Sequence, residues 1–242
     1  MNNLKISVVI PTLNEEKYLE KTLLSFKNQT FRDFELVISD GGSTDRTVSI
    51  AQKYTKKIVV AHNTNVCQAR DRGLKEASGE ILVGADADTY YPPNHLKSIA
   101  DEFGKAENVV AVTGRAKFVD GPRWCTVFWK IFYSFAYFIY KISGFVLYSP
   151  AFNLSYRKDI FLKIGGYNTN LDFGGDELDV LRRLKKEGKV VLSANLMPQT
   201  SGRRFTVGIF TFLFKHVFYY YWLNYLFGRI FNRPLTKAKP VR

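Results

Sequence analysis

Residues 6–12 read Ile-Ser-Val-Val-Ile-Pro-Thr, a β-branched run that Pro11 closes. Similar short apolar runs follow at Phe34–Ile38, Ile58–Ala61 and Ile81–Gly84, and segments with helical spacing of apolar residues separate them. Repeated strand–helix–strand units of this length predict a mostly parallel central sheet with helices on both faces. The predicted fold class is therefore α/β.

Polar residues occur where these predicted strands end. They are Pro11-Thr12, Asp40 and the triplet Asp86-Ala87-Asp88. Ligands of open parallel sheets bind beyond the carboxyl ends of the strands, so we expect these residues to share one site. Asn14, just after the first strand, is predicted to cap a helix.

The second half of the chain has a different order of elements. We predict strands at Val109–Phe118, Ala151–Tyr156 and Lys189–Leu192, and helices at Lys158–Ile164 and Asp176–Glu187. We expect a catalytic domain at 1–204, with a nucleotide-binding half at 1–95 and an acceptor half at 96–204. Residues 205–242 are predicted to be amphipathic membrane-associating helices and a basic tail.

The chain has 242 residues and a formal net charge of +13 at pH 7. This charge predicts attraction to phosphates or to an anionic membrane surface. Because no nucleic-acid recognition module accompanies it, we expect no nucleic-acid partner. Cys67 and Cys125 make no disulfide framework, and with no signal peptide at the start we expect a cytosol-facing location. The oligomeric state stays open.

Three groups of charged residues each allow two interpretations. The carboxylates of Asp86 and Asp88 suit Mg²⁺ or Mn²⁺, or they belong to a solvated loop. Asp40 accepts hydrogen bonds from a base or ribose, or it caps the turn that follows it. Arg70 pairs with phosphate, or it forms a salt bridge with Asp71 or Glu76 on its own helix.

Four motifs in about the first 95 residues resemble those of the family-two glycosyltransferases. They are Ser7–Glu16, Asp40–Asp45, Ala69–Gly73 and Ala77–Ile81 leading to Asp86–Asp88, in the order and spacing of the family. The resemblance implies a GT-A fold, an inverting mechanism and a nucleoside-diphosphate sugar donor. It points to the membrane-associated enzymes that use polyprenyl-phosphate or lipid-linked glycan acceptors.

The same resemblance implies roles for single residues. The donor would be bound by Pro11, Thr12, Asn14, Glu15, Asp40, Gly41, Arg70, Asp86, Ala87 and Asp88. Within this set Asp40 would bind the base, and Asp88 would be the main metal ligand with Asp86 assisting. The implied cofactor is Mn²⁺ or Mg²⁺. At Asp71 the family usually has Asn, and we expect little effect of this difference.

The segment Asp176-Glu177-Leu178-Asp179 resembles the acidic acceptor-site motif of the family. Inversion needs a general base that deprotonates the attacking hydroxyl, and the resemblance places it at Glu177. The family more often has Glu before Asp, so Asp176 stays a rival. The alternative is that these acids only complement a helix N-terminus. For Asp179 we expect a purely structural role.

Two arginines follow the last predicted strand. We expect Arg203 or Arg204 to neutralise the leaving diphosphate, and the alternative is that they anchor the chain to a membrane surface.

Two aromatic stretches, Trp124–Tyr148 and Phe205–Phe231, suggest contact with a membrane. In Trp124–Tyr148, Lys130 and Lys141 fall on one polar stripe at 100° per residue, opposite Phe128, Phe135 and Ile139. This predicts a helix over about 124–143 that lies in the interface of a bilayer. Alternatively, the helix covers the core or a dimer interface. We expect a peripheral enzyme on the cytoplasmic face of the membrane.

The expected acceptor is a hydroxyl of a lipid-linked glycan or glycolipid. Polyprenyl-phosphate sugar synthases attack with a phosphate and often carry Gln two residues after the second metal-site Asp, where this chain has Tyr90. GDP-mannose, UDP-glucose and UDP-N-acetylglucosamine all stay open as donors. One rival function is that of a nucleotidyltransferase, which would show a Gly-rich phosphate loop after the first strand. This chain has Pro11-Thr12-Leu13-Asn14 there. The other rival is an inactive membrane scaffold with a transferase fold.

Overall fold

The computed structural model describes residues 4–60, 62, 64–171, 176–208, 211, 214, 218–219 and 223–231. Numbered in chain order, the strands of its main sheet are β1 (Ile6–Thr12), β2 (Phe34–Asp40), β3 (Ile58–Val60), β4 (Ile81–Gly84), β6 (Val109–Gly114), β8 (Leu154–Arg157) and β9 (Lys189–Ser193). Their order across the sheet is β3-β2-β1-β4-β8-β6-β9. Strand β8 runs antiparallel to β4 and β6, and the other neighbours are parallel. The predicted mostly parallel α/β sheet is confirmed.

Helices cover both faces of this sheet. The helices of the domain are α1 (Leu19–Lys27), α2 (Thr47–Ala51), α3 (Val66–Glu76), α4 (His95–Gly104), α5 (Arg123–Ser143), α6 (Lys158–Lys163) and α7 (Asp176–Glu187); α8 (Asn224–Phe231) follows later in the sequence. Successive residues of β1 point to opposite faces. Val8 and Ile10 pack in the core with α1 and α4, whereas Val9 packs in the core with α3 and α7.

A second, three-stranded sheet lies beside the expected site. Its strands are β5 (Thr89–Tyr90), β7 (Lys117–Val119) and β10 (Gln199–Ser201), in the order β5-β10-β7. In β10, Thr200 is paired with Thr89 of β5. This pairing brings the segment before Arg203 next to the loop that carries Asp88.

Two predicted strands differ from the structure. The single strand expected at Val109–Phe118 is wrong, because the chain leaves the main sheet after Gly114 and forms β7 in the small sheet. A Cβ atom on Gly114 would lie 2.3 Å from the carbonyl oxygen of Leu196, so the two segments touch here. The strand expected at Ala151–Tyr156 begins as a 3₁₀ turn over Ala151–Asn153 and becomes extended only in β8.

The helix expected at about 124–143 is α5, and it has two apolar faces. One face packs on the domain through Cys125, Trp129, Tyr133 and Ala136. The opposite face, here called the outer face of α5, is exposed and consists of Val127, Ile131, Phe135, Phe138 and Ile142. Lys130 and Lys141 are exposed beside it. Phe135 lies on the outer face as predicted, but Phe128 and Ile139 are half-buried. Among the described residues no helix is long and apolar enough to cross a bilayer.

Candidate active site

Asp40 closes β2 and is almost fully buried, at 1% exposure. Its Oδ2 accepts hydrogen bonds from the backbone N–H groups of Gly42 and Ser43, at 2.9 and 2.7 Å. Its Oδ1 accepts from the hydroxyls of Ser43 and Thr12, at 2.6 and 2.8 Å. The carboxylate therefore fixes the turn after β2 to the end of β1, which is the turn-capping role predicted as one alternative.

The loop after β1 is held against the same turn. Asn14 has a φ of 54°, a left-handed conformation that Asn tolerates better than most residues. Its Oδ1 accepts from the N–H of Thr44 at 2.9 Å, and its own N–H donates to the hydroxyl of Ser43 at 2.9 Å. The expected helix cap at Asn14 is wrong, since α1 begins only at Leu19. Asn14 instead joins two loops at the edge of the sheet.

The acidic triplet Asp86-Ala87-Asp88 connects β4 and β5. Thr22 of α1 donates to the carbonyl of Ala87 at 2.7 Å, and the hydroxyl of Tyr91 accepts from the N–H of Asp86 at 3.0 Å. The side chains of Asp86 and Asp88 keep 33% and 17% of their surface exposed. The backbone of this loop is therefore fixed, while its carboxylates face the site.

Arg70 lies on α3 with only 4% of its surface exposed. Its Nη2 is 2.9 Å from Oδ1 of Asp86. The alternative of a salt bridge with Asp71 or Glu76 is wrong, and Asp71 pairs with Lys75 at 2.7 Å. Within the described part of the chain, Nε of Arg70 is buried without a hydrogen-bond partner. The positive charge of Arg70 thus lies beside the triplet, and among the described residues its Nε–H has no acceptor.

Arg203 reaches the triplet from the opposite side. It begins a 3₁₀ turn, Arg203–Val207, directly after β10. Its Nη2 is 3.0 Å from Oδ2 of Asp88 and 3.9 Å from Oε1 of Glu15. Arg204 follows in the same turn, and its side chain lies outside the described part of the structure. Arg70 and Arg203, from distant parts of the sequence, therefore flank the carboxylates of Asp86 and Asp88.

Glu15, in the loop after β1, lies beside Asp88 and Arg203. Burial and the charge of Asp88 raise the pKa of Glu15 to about 7, against the opposing effect of Arg203. The shift therefore follows mainly from the burial of Glu15 and, second, from its acidic neighbour Asp88.

The second acidic group lies at the start of α7. Asp179 pairs with Arg182 and Arg183, at 3.5 and 2.7 Å, so the expected structural role is supported by its contacts. Asp176 is 3% exposed. Burial, the charge of Asp176 and a hydrogen bond with it raise the pKa of Glu177 well above its ordinary value, and Arg70 opposes this shift. The guanidinium of Arg70 attracts the charges of Asp86, Asp176 and Glu177, so it lies within electrostatic range of both acidic groups.

Residues 7–165, well over half of the chain, match the model of glycosyl transferase family 2. The chain belongs to this family. The predicted recognition and enzyme class, a family-two glycosyltransferase, are confirmed.

The names of two relatives of this transferase describe different acceptors. Over 105 residues the chain is 35% identical to the poly(ribitol-phosphate) β-N-acetylglucosaminyltransferase TarS of Staphylococcus aureus, which covers 40% of this chain and 18% of that protein. Over 91 residues it is 38% identical to the GalNAc(5)-diNAcBac-PP-undecaprenol β-1,3-glucosyltransferase of Campylobacter jejuni, covering 35% of this chain and 29% of that protein. The chain thus spans less than a third of the length of either relative.

Solved structures confirm the GT-A fold of the transferase. Residues 1–349 of S. aureus TarS superpose with a TM-score of 0.68 at 22% identity, covering 82% of this chain and 60% of that chain. The mannosyltransferase PcManGT of Pyrobaculum calidifontis, in complex with GDP-Man and Mn²⁺, gives a TM-score of 0.62 at 19% identity, covering 82% and 57%.

The structure adds a group of site residues that the sequence analysis did not identify. Asp71, for which we expected little effect, is buried, and its Oδ1 accepts from the N–H of Tyr167 at 2.8 Å. The hydroxyls of Tyr167 and Tyr156 share a buried hydrogen bond, and both rings lie within electrostatic range of Arg70. The only sequence signal was the Gly165-Gly166 pair, whose φ values of 83° and 74° form the turn.

Metal binding can be tested against the chemistry of the site. Among the described residues no group of three or more His, Cys, Asp or Glu side chains is placed to hold a metal ion. The oxygens of Asp86 and Asp88 are nevertheless the ligands that Mg²⁺ and Mn²⁺ prefer, and such ions are often held by one or two carboxylates plus substrate phosphates. The residues therefore fit a metal that binds together with a diphosphate.

Proposed function

We propose that this transferase moves a hexose, with inversion, from a nucleoside-diphosphate sugar to a hydroxyl of a lipid-linked or membrane-surface glycan. The observation that carries the proposal is the position of Arg70. It pairs with Asp86 at 2.9 Å and also acts on Asp176 and Glu177. A donor at the triplet and an acceptor at α7 would thus meet at one buried guanidinium.

The donor would lie across the carboxyl ends of β1, β2 and β4. Pro11, Thr12, Asn14 and Glu15 would border the nucleoside, and the turn Asp40-Gly41 would face the base. Asp88, with Asp86 across Ala87, would hold Mn²⁺ or Mg²⁺. When bound, the metal would neutralise the diphosphate of the donor. Arg70, through its free Nε, and Arg203 or Arg204 would contact the same phosphates.

The acceptor hydroxyl would lose its proton to Glu177, with Asp176 as the rival base. Its oxygen then forms a bond to the anomeric carbon as the bond to the diphosphate oxygen breaks. Burial and the neighbouring Asp176 raise the pKa of Glu177, so its carboxylate, once ionised, is a stronger base than an ordinary one. Asp176, with which Glu177 forms a hydrogen bond, would orient the base.

Two comparisons bear on the donor. A structure of TarS holds UDP-GlcNAc, and one of PcManGT holds GDP-Man with Mn²⁺. We keep GDP-mannose and the UDP-sugars as candidate donors, with Mn²⁺ or Mg²⁺ as the cofactor.

The outer face of α5 supports a membrane-associated acceptor. Its residues Ile131, Phe138 and Ile142 are 65%, 59% and 70% exposed, and Lys130 and Lys141 are exposed beside them. An apolar face next to lysines is suited to the interface of an anionic bilayer. The name of the Campylobacter relative describes an undecaprenol-linked acceptor. We propose that this transferase has its catalytic domain at 1–204 and a membrane-associating segment at 205–242, most of which lies outside the described residues. It would lie peripherally on the cytoplasmic face of the membrane.

The test is transfer from radiolabelled UDP- and GDP-sugars to a polyprenyl-diphosphate-linked glycan on anionic vesicles. Glu177→Gln should reduce transfer about 10²-fold or more without weakening donor binding. Equal transfer by wild type and Glu177→Gln would contradict the role of Glu177 as the base. Transfer to polyprenyl phosphate instead would identify a phosphate acceptor, and donor binding without any transfer would favour a scaffold.

A further inference from the structure

Arg203 occupies the position at which the proposed function needs a metal ion. Its Nη2 is 3.0 Å from Asp88 and 3.9 Å from Glu15. Its guanidinium carbon also lies 4.9 Å from the centre of the Tyr18 ring, within the range of a cation–π contact. One side chain with a single positive charge is thus shared between two acidic side chains.

The backbone on both sides of Arg203 is fixed. Gly202 donates to the carbonyl of Val119, and a Cβ on Gly202 would lie 2.7 Å from Cα of Gly121. On the other side Phe205 is 4% exposed, with its ring 4.8 Å from Phe118. Packing this close leaves little room for the turn to shift. The part of Arg203 that is free to move is its side chain, which is 27% exposed.

A guanidinium and a divalent cation compete for Asp88. Both need its carboxylate oxygens, and two positive charges a few ångströms apart repel strongly in a partly buried site. Once Arg203 leaves Asp88, a diphosphate bound beside Asp88 would offer oxygens that suit the fork of its guanidinium. Arg203 therefore opposes the binding of a metal alone and favours the binding of a metal with a nucleotide.

We propose that Arg203 exchanges partners: its contacts with Asp88 and Glu15 give way to contacts with the donor diphosphate when metal and nucleotide sugar bind together. This rests on the proposed function. It makes metal and donor binding cooperative, because by linkage each raises the affinity for the other by the same factor.

The test is the affinity for Mn²⁺, measured from the electron paramagnetic resonance signal of the free ion, alone and with UDP or GDP. Arg203→Gln should bind Mn²⁺ alone about tenfold more tightly than wild type, and the gain in Mn²⁺ affinity on adding the nucleotide should shrink by about tenfold or more. Arg203→Lys keeps the charge and should bind Mn²⁺ alone as weakly as wild type.

The matched control is Arg46→Gln. Arg46 pairs with Glu16 at 3.2 Å and its side chain is 80% exposed, so this variant removes one positive charge without touching Asp88. It should change both Mn²⁺ affinities less than twofold. Unchanged or weaker binding of Mn²⁺ alone by Arg203→Gln would overturn the exchange. Failure of the proposed function looks different: Mn²⁺ and nucleotide would then bind equally well to wild type and Asp88→Asn.

Discussion

His95 gives the sharpest prediction of how stability depends on pH. It lies at the start of α4, is 3% exposed and packs against the Tyr91 ring at 4.9 Å. Neither ring nitrogen has a hydrogen-bond partner in the described structure. Burial without a partner disfavours the charged imidazolium and lowers its pKa from 6.5 to about 3.

The size of the effect follows from this shift. Below pH 6.5 the unfolded chain binds a proton at His95 and the folded chain does not, so the stability contributed by the neutral ring falls as pH falls. Between pH 7.5 and pH 5.0 the loss is about 2 kcal/mol, since one pKa unit corresponds to about 1.4 kcal/mol. The loss is complete near pH 3.

Urea unfolding of wild type and His95→Leu at pH 7.5 and pH 5.0 measures this loss. Glu15, whose pKa is raised to about 7, changes stability in the opposite direction over the same range. It does so in both proteins, so it cancels when the two are compared. The variant should lose about 2 kcal/mol less than wild type on going to pH 5.0. Identical pH dependence in the two proteins would refute the assignment of a buried, unpaired His95.

Three further predictions concern contacts within the sheet and beside the site. Burial raises the pKa of Glu35, but hydrogen bonds from Ser7, Ser78 and Lys57 outweigh it and lower that pKa from 4.5 to about 2. Glu35→Gln should therefore lower the free energy of unfolding at pH 7 by about 1–2 kcal/mol, a figure already reduced for the partial exposure of Glu35. In urea unfolding, this difference from wild type should shrink as the pH falls from 4.5 towards 2. Gly84→Ala should cost about 1–3 kcal/mol in urea unfolding, because its Cβ would lie 2.5 Å from the carbonyl of Ala151. Gly104→Ala, whose Cβ meets nothing within 4 Å, is the matched control and should lose no stability. Asp71→Ala removes the oxygen that accepts from the N–H of Tyr167, so it should lower kcat about tenfold with little change in the KM for the donor. Asp71→Asn keeps that oxygen and should retain most activity. Equal rates for wild type and both variants would exclude the turn as a support of the site for the sugar acceptor.

The parts of the fold that were predictable have local causes. Runs such as Ile6–Ile10 and Ile81–Gly84 are strands because β-branched and apolar residues fill the two buried faces of a parallel sheet. The break after Gly114 was missed because it depends on close contact with Leu196, far away in sequence. Asn14 was misassigned because the side-chain oxygen that caps a helix also serves to join two loops.

In the candidate site, too, the features with local causes were predictable and those that depend on distant contacts were not. Asp86 and Asp88 follow a strand, so the topology of the sheet predicts their position. The partner of Arg70 was missed, because the sequence offered only phosphate or the acids of its own helix. Its contact with Asp86 depends on how α3 packs beside the end of β4. The contact between Arg203 and Asp88 depends on the pairing of β10 with β5, and no local pattern reports a pairing between strands so far apart.

Thermal unfolding with UDP- and GDP-sugars, with and without Mn²⁺, tests the central claim most directly when wild type is compared with Asp88→Asn. A donor present at about 100 times its Kd stabilises the folded state by about 2.7 kcal/mol, or roughly 5–10 °C in a chain of this size. We predict such a shift for one nucleotide class, dependent on Mn²⁺ and lost in Asp88→Asn. A shift of the same size in both proteins, or no shift with any donor, would contradict a metal-assisted donor site at the triplet.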